Sequence, residues 1–212
     1  KVTRSDNCRV SDLSISSDNL TFTYEAKSLP YPIDTSYYDN EKHTQADALS
    51  VIPFMDEINY EGLSVSGLSD GYYGLTIGGE FIGRFTAREL ERGINMALLQ
   101  NTPQYKQAMK IRQMNEERWL KERKMREFYW VEYNLMRKTG MLWACDEAAV
   151  DTLRKYRPHD IFLQWNGDLW LQYMHKGIRE DCVNEQQDLV DRIYEQNKPI
   201  PLRIEIKKFT DL

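Results

Sequence analysis

A chain of 212 residues with 41% hydrophobic side chains is long enough to bury one large core or two small ones. Lys and Arg number 28 against 33 Asp and Glu, the formal net charge is -5 and the mean hydropathy is -0.66, an ordinary solvated surface that argues against a mainly electrostatic nucleic-acid binder. No apolar run reaches the ~20 residues of a bilayer crossing, and the amino end, Lys1 to Asp12, has neither an apolar signal core nor an initiating Met, so the chain reads as a trimmed or mature piece without a membrane span.

The first part of the chain alternates β-branched and aromatic positions with polar ones in short runs broken by turn residues, which predicts β structure. Strands are expected at Arg9 to Ile15, Leu20 to Tyr24, Leu63 to Ser66 and Tyr72 to Ile77. A fifth, Phe81 to Phe85, returns through Gly78-Gly79, a pair that supplies the positive φ of a tight hairpin. Between them, Leu29 to Glu61 is a long mixed loop with Pro30, Pro32 and Pro53, carrying a short helix around Ala46 to Met55.

At Thr86 the period changes. Thr86-Ala87-Arg88-Glu89 spells a capping box, so a helix is expected from Ala87 to about Leu99. Thr102 caps a second helix with Pro103 at its first position, where a missing N–H costs nothing. From there to Lys138 no Pro or Gly interrupts, and Gly140 is the natural stop. That stretch carries ten basic and five acidic side chains; the reading is a solvated face with i,i+4 pairs such as Glu117 with Lys121 and Glu122 with Arg126. Shorter helices follow at Asp146 to Tyr156, Asp168 to His175 and Asn184 to Gln196, separated by Pro158 and by Asn166-Gly167, and Leu202 to Ile206 closes the chain as a strand at a sheet edge or against a partner. The fold class is α+β: a small antiparallel β sublobe over 1–86, then a helical sublobe over 87–212 with one long helix and a terminal strand.

Catalytic equipment is sparse. Every serine lies at or before Ser69, the histidines are His43, His159 and His175, and none has an Asp three residues ahead, where Asn40, Tyr156 and Gln172 stand. The glycines of Gly71-Tyr72-Tyr73-Gly74 and Gly78-Gly79 are turn residues without a following G-K-S/T helix start. Cys8, Cys145 and Cys182 lack metal or redox spacing and read as buried or free thiols; in an exported protein, Cys145 with Cys182 is the pairing to expect. No catalytic, metal or cofactor residue is therefore assigned. The compositional excess is aromatic, 12% with five Trp. Trp165, Trp170 and Tyr173 are the candidate ligand-binding residues beside the Asn166-Gly167 turn, and Phe128, Tyr129, Trp130 and Tyr133 crowd the long helix too closely for all to face one side.

The stretch from Gly71 through Ile77-Gly78-Gly79, Gly83-Arg84-Phe85-Thr86-Ala87-Arg88-Glu89-Leu90 and Gly93-Ile94-Asn95-Met96-Ala97 resembles the C-terminal region of SGNH (GDSL-type) hydrolases. Thr102-Pro103-Gln104, Leu20-Thr21-Phe22 before Leu29-Pro30-Tyr31-Pro32-Ile33-Asp34, and Asn197-Lys198-Pro199 ahead of the last strand agree with it. The resemblance covers Cys8 to Lys207, loosely between Gly140 and Asp181. It implies a bacterial, periplasmic or extracellular esterase or lipase-like acyl hydrolase whose Ser, His and Asp lie before Lys1. Gly167-Asp168-Leu169 imitates the family's Gly-Asp-Ser lettering with Leu in place of the nucleophile, so no role passes to it. The implied partner is the hydrolase domain of the same polypeptide; the alternative is a stand-alone carbohydrate-binding or interaction module with a glycan ligand.

Overall fold

The structure, a computed structural model, describes residues 1–34, 37–38 and 43–209. The chain divides into two compact units, Lys1–Arg112 with Gln196–Leu212, and Gln113–Glu195. The change from strand to helix comes at Thr86–Ala87, whereas the chain passes from one unit to the other inside the long helix.

The first unit is built on a five-stranded antiparallel sheet. Its strands are β1 (Cys8–Ile15), β2 (Asn19–Ala26), β3 (Tyr72–Ile77), β4 (Glu80–Thr86) and β5 (Leu202–Lys208), in spatial order β1-β2-β5-β3-β4. The last strand thus lies in the middle of the sheet, not at an edge. Leu202, Ile204 and Ile206 alternate to one face, and the register sets Leu20, Ile206 and Leu75 in one row and Phe22, Ile204 and Ile77 in the next. Apolar side chains on both neighbours explain the central position: an edge would leave one flank of each row in water. The β3–β4 turn has Gly78 at φ 60 and Gly79 at φ 86, the left-handed pair the hairpin requires.

Helix α1 (Ala87–Arg92) opens with the expected capping box: Thr86 Oγ1 accepts from Glu89 N at 3.2 Å, and Glu89 Oε2 accepts from Thr86 N at 2.7 Å. Its last residue is Arg92, seven short of Leu99, with Gly93 at φ 94 as the cap, because Ile94–Asn95 leave to pair with Gly62–Leu63. That two-residue pairing is all that forms of the strand expected at Leu63 to Ser66. The long loop is fastened by two asparagines. Asn59 exchanges both side-chain amide groups with the Tyr31 backbone, at 2.8 and 2.9 Å, and Asn95 donates to the Met55 and Asn59 carbonyls while accepting from Glu61 N. Its expected helix is two single turns, Gln45–Ala48 and Phe54–Glu57, with Pro53 capping the second. Part of the polar stretch Asp34 to Asp47 lies outside the described residues.

Helix α2 (Pro103–Val131) continues into a π turn over Glu132–Met136. In the second unit Met125, Phe128, Val131, Leu135 and Met136 are buried with residues of α3 (Glu147–Tyr156), α4 (Ile161–Tyr173) and α5 (Lys176–Gln196). Asp146 and Asp160 cap α3 and α4 through Oδ1. Helices α4 and α5 are longer than expected. Asn166-Gly167 is helix, not turn: glycine is tolerated there because the Arg157 side chain crosses it, with Nε only 3.2 Å from where a Cβ would stand. The ion pairs of α2 include Arg118–Glu122 and Arg123–Glu127, and Lys121 reaches Glu185 on α5 at 2.5 Å, where Glu117–Lys121 and Glu122–Arg126 were expected. Cys8, Cys145 and Cys182 are free, with Cys145 exposed and Cys182 buried, so the Cys145–Cys182 bridge is not formed. Among the described residues no helix is long and apolar enough to cross a membrane.

Candidate functional site

The candidate aromatics separate. Trp170 is fully buried and Tyr173 nearly so, both in the core of the helical unit, because the helix runs through Asn166-Gly167 and turns these two positions inward. Neither ring offers a face to a ligand. Trp165 is 67% exposed and stacks edge-on against Phe162, which in turn contacts Trp130. Asp168, of the Gly-Asp-Leu sequence, forms a two-pronged pair with Arg157 at 2.6 and 2.7 Å, which lowers its carboxyl pKa; the pair ties α4 to the turn before it.

Neither unit by itself brings a described histidine side chain and a serine together. His159 and His175 are exposed and belong to the helical unit, whose sequence has no serine, and the His43 side chain lies outside the described residues. Among the described residues no group of three or more His, Cys, Asp or Glu is placed to hold a metal ion.

Each unit does contain a carboxyl group held by neutral donors that the sequence pattern did not disclose, half-buried in the sheet unit and fully buried in the helical one. In the sheet unit, Glu61 Oε1 accepts from Tyr24 Oη at 2.9 Å, and both its oxygens lie 3.3–3.4 Å from Gln104 Nε2. Burial raises the Glu61 pKa, outweighing these two donors, and burial beside Glu61 raises that of Tyr24 as well. The cluster sits where the long loop returns to the sheet, and its partners are all neutral.

In the helical unit, Glu132 is 1% exposed at the first position of the π turn. Its Oε1 accepts from Trp170 Nε1 at 2.8 Å and its Oε2 from Trp143 N at 2.9 Å. Here the π turn matters: one extra residue in the turn lets Val131-Glu132 and Leu135-Met136 all face the core. Trp143 stands at φ 64, a left-handed conformation that costs a bulky residue energy, and the carboxylate holds it there. The Trp143 ring projects outward, 43% exposed, nearly perpendicular to Tyr129 and Tyr133 at centroid distances of 6.1 and 6.0 Å.

Facing these rings is one stripe of α5. Lys176, Arg179, Glu180, Val183 and Asn184, at i, i+3, i+4, i+7 and i+8, line with Tyr129 and Trp143 a groove of ≈ 460 Å³. Arg179 is fixed: its Nη1 donates to the Tyr173 and Met174 carbonyls at 2.8 and 2.6 Å, and its guanidinium lies 4.8 Å from the Phe128 ring centre and 5.8 Å from that of Trp143. A second concavity, ≈ 440 Å³, lies on the sheet unit between Lys1–Arg4, β1, β2 and the segment 62–69.

Residues 109–198 match the family described as the diltiazem deacetylase C-terminal helical domain. That span encloses the helical unit Gln113–Glu195. A solved structure, described as a gut microbial diltiazem-metabolizing enzyme, is similar over both units, with 35% identity and a TM-score of 0.90. The match covers 98% of this chain and 47% of that one, so this chain spans about half the length of the enzyme it resembles. No curated protein matches it. The helical unit is thus similar to a hydrolase's C-terminal helical domain, and the two units together are similar to about half of a diltiazem-metabolizing enzyme.

Proposed function

We propose that this chain is the non-catalytic C-terminal region of an SGNH (GDSL-type) ester hydrolase that cleaves acetyl or other carboxyl esters. The observation that carries this reading is the near-complete match of the chain to about half of a diltiazem-metabolizing enzyme. The motif resemblance from Gly71 to Ala97 supports the SGNH assignment, and the lack of any serine in the sequence of the helical unit, which carries His159 and His175, supports placing the catalytic groups elsewhere in the polypeptide. In such an enzyme a serine attacks the ester carbonyl and preorganised N–H donors hold the developing oxyanion. This region contributes binding and orientation instead. Its partner is the hydrolase domain of the same polypeptide, in the bacterial periplasm or outside the cell. Val51, 81% exposed, and the exposed Ile52, Ile58 and Tyr60 are apolar side chains of the long loop of the kind that a neighbouring domain covers.

The test is hydrolysis of p-nitrophenyl acetate by the chain alone. The expected result is a rate no higher than the buffer's. Saturable turnover that disappears on changing one Ser or His within residues 1–212 overturns the proposal.

A further inference from the structure

We infer that the cleft on the inner face of β1 and β2 is a binding site for a straight-chain carboxylate, a medium-chain fatty acid, with Lys208 holding its head. The inner face of the sheet is covered unevenly. Leu75, Ile77 and Ile204 are fully buried, whereas Val10, Leu20 and Tyr24, which the register places on the same face, are only half-buried. This uncovered part lines the ≈ 440 Å³ cleft, and Val65 and Leu68 line it from the segment 62–69. The lining is mostly aliphatic and follows β2 from Leu20 to Tyr24, about 14 Å at the rise of an extended strand. A slot of that length and composition suits an extended hydrocarbon chain better than a single ring, and burying the chain there removes apolar surface of both from water.

One end of the slot carries a cation. Lys208 continues the alternation of Leu202, Ile204 and Ile206 on the central strand β5 and stands directly across from the buried Tyr73. The inner face of a central strand is where a lysine is least expected. Its Nζ donates to Ser69 Oγ at 2.8 Å, and Tyr73 Oη lies 3.1 Å from the same oxygen while donating to the Ser69 carbonyl at 3.0 Å. Ser69 and Tyr73 both line the cleft. The lysine stem passes over Gly71, where a Cβ would stand 3.1 Å from Cε, so the glycine leaves room for it.

Among the described residues no carboxylate lies within ion-pair distance of Lys208 Nζ. A half-buried ammonium on a neutral hydroxyl is poorly compensated and has donors to spare. A ligand carboxylate at the mouth of the slot supplies the missing charge, accepting from Nζ. Asp18, the acid of the lining, is exposed and accepts from Ser17 Oγ at 3.0 Å; of the lining cations Lys1 and Arg4, Arg4 is paired with Asp6. The site lies within the sheet unit and stands independently of the hydrolase assignment.

The experiment is calorimetric titration of the chain with octanoate, with 1-octanol as the uncharged chain and butyrate as the short acid. The expected result is saturable octanoate binding at least about tenfold tighter than that of 1-octanol, and none of butyrate up to about 10 mM. Lys208→Met should weaken octanoate about tenfold or more, to the level of 1-octanol, while 1-octanol binding stays as it was; Lys208→Arg should restore the preference. Lack of octanoate saturation up to about 10 mM, equal affinity for 1-octanol, a preference that survives Lys208→Met, or one that Lys208→Arg does not restore each overturns the inference. Retention on phosphatidylcholine vesicles without octanoate binding overturns it too, and assigns the cleft to a membrane lipid.

Discussion

Glu61, half-buried in the sheet unit, and Glu132, fully buried in the helical unit, are both held by neutral donors, yet they serve different ends. Glu61 closes a structural joint: Tyr24 from the sheet, Gln104 from the start of α2 and the returning loop meet on it, and no exposed ring depends on it. Glu132 reaches from a core position to fix the backbone of an exposed Trp143. The sheet unit spends its polar groups on closing a long loop, with Asn59 and Asn95 as further fasteners. The helical unit uses its buried carboxylate to present a surface.

The comparison can be broken most sharply at Trp170. Trp170→Ala empties a fully buried site and strands Glu132, and is expected to destabilise the helical unit by about 3–5 kcal/mol, measured by denaturant unfolding. Glu132→Leu should follow at about 2–4 kcal/mol, leaving two buried N–H groups unsatisfied; it should also shift the Trp143 emission toward that of a freely exposed indole. Both losses should appear in the helical unit alone, and an equal loss in the sheet unit's amide protection contradicts the division of roles. Thr86→Ala removes a cap in the sheet unit at about 1 kcal/mol, with the amide protection of the helical unit unchanged.

The smallest effect is one of pH. Burial raises the folded-state pKa of Glu61 above its unfolded value, so the neutral form is the one the fold prefers. Its contribution to stability is fully present below the ordinary glutamate range near 4.3 and is lost as pH rises through the raised folded value. Glu61→Gln should therefore gain stability relative to the parent between about pH 4 and pH 7, read as a growing difference in thermal midpoint. A constant difference across that interval would show that the joint does not titrate.

Much of the sheet unit could be read directly, because period-two alternation, the Gly78-Gly79 hairpin and the Thr86 capping box are local signals. The central position of β5 could not: a strand's neighbours depend on pairings about 180 residues apart in sequence, and alternation alone does not distinguish a central strand from an edge. In the helical unit, Asn166-Gly167 imitates a turn, but the Arg157 side chain packed over Gly167 makes it helix, and this one change moves Trp170 and Tyr173 from surface to core. The crowding of Phe128, Tyr129, Trp130 and Tyr133 did signal that some rings must face outward, and Tyr129 and Tyr133 do. Trp143 carried no signal, since its orientation follows from a positive φ and from a carboxylate eleven residues away. Glu132 and Glu61 were invisible for the same reason: among 33 acidic residues, nothing local marks the two that are turned away from solvent onto neutral donors.

The central claim, that this chain lacks the catalytic serine of the enzyme it serves, is tested most directly with a fluorophosphonate probe, which labels only activated serines. Applied to a protein comprising this chain and the hydrolase domain proposed to precede it, followed by peptide mapping, the probe should mark one serine outside residues 1–212 and none within them. A labelled serine among Ser5 to Ser69 would contradict the account.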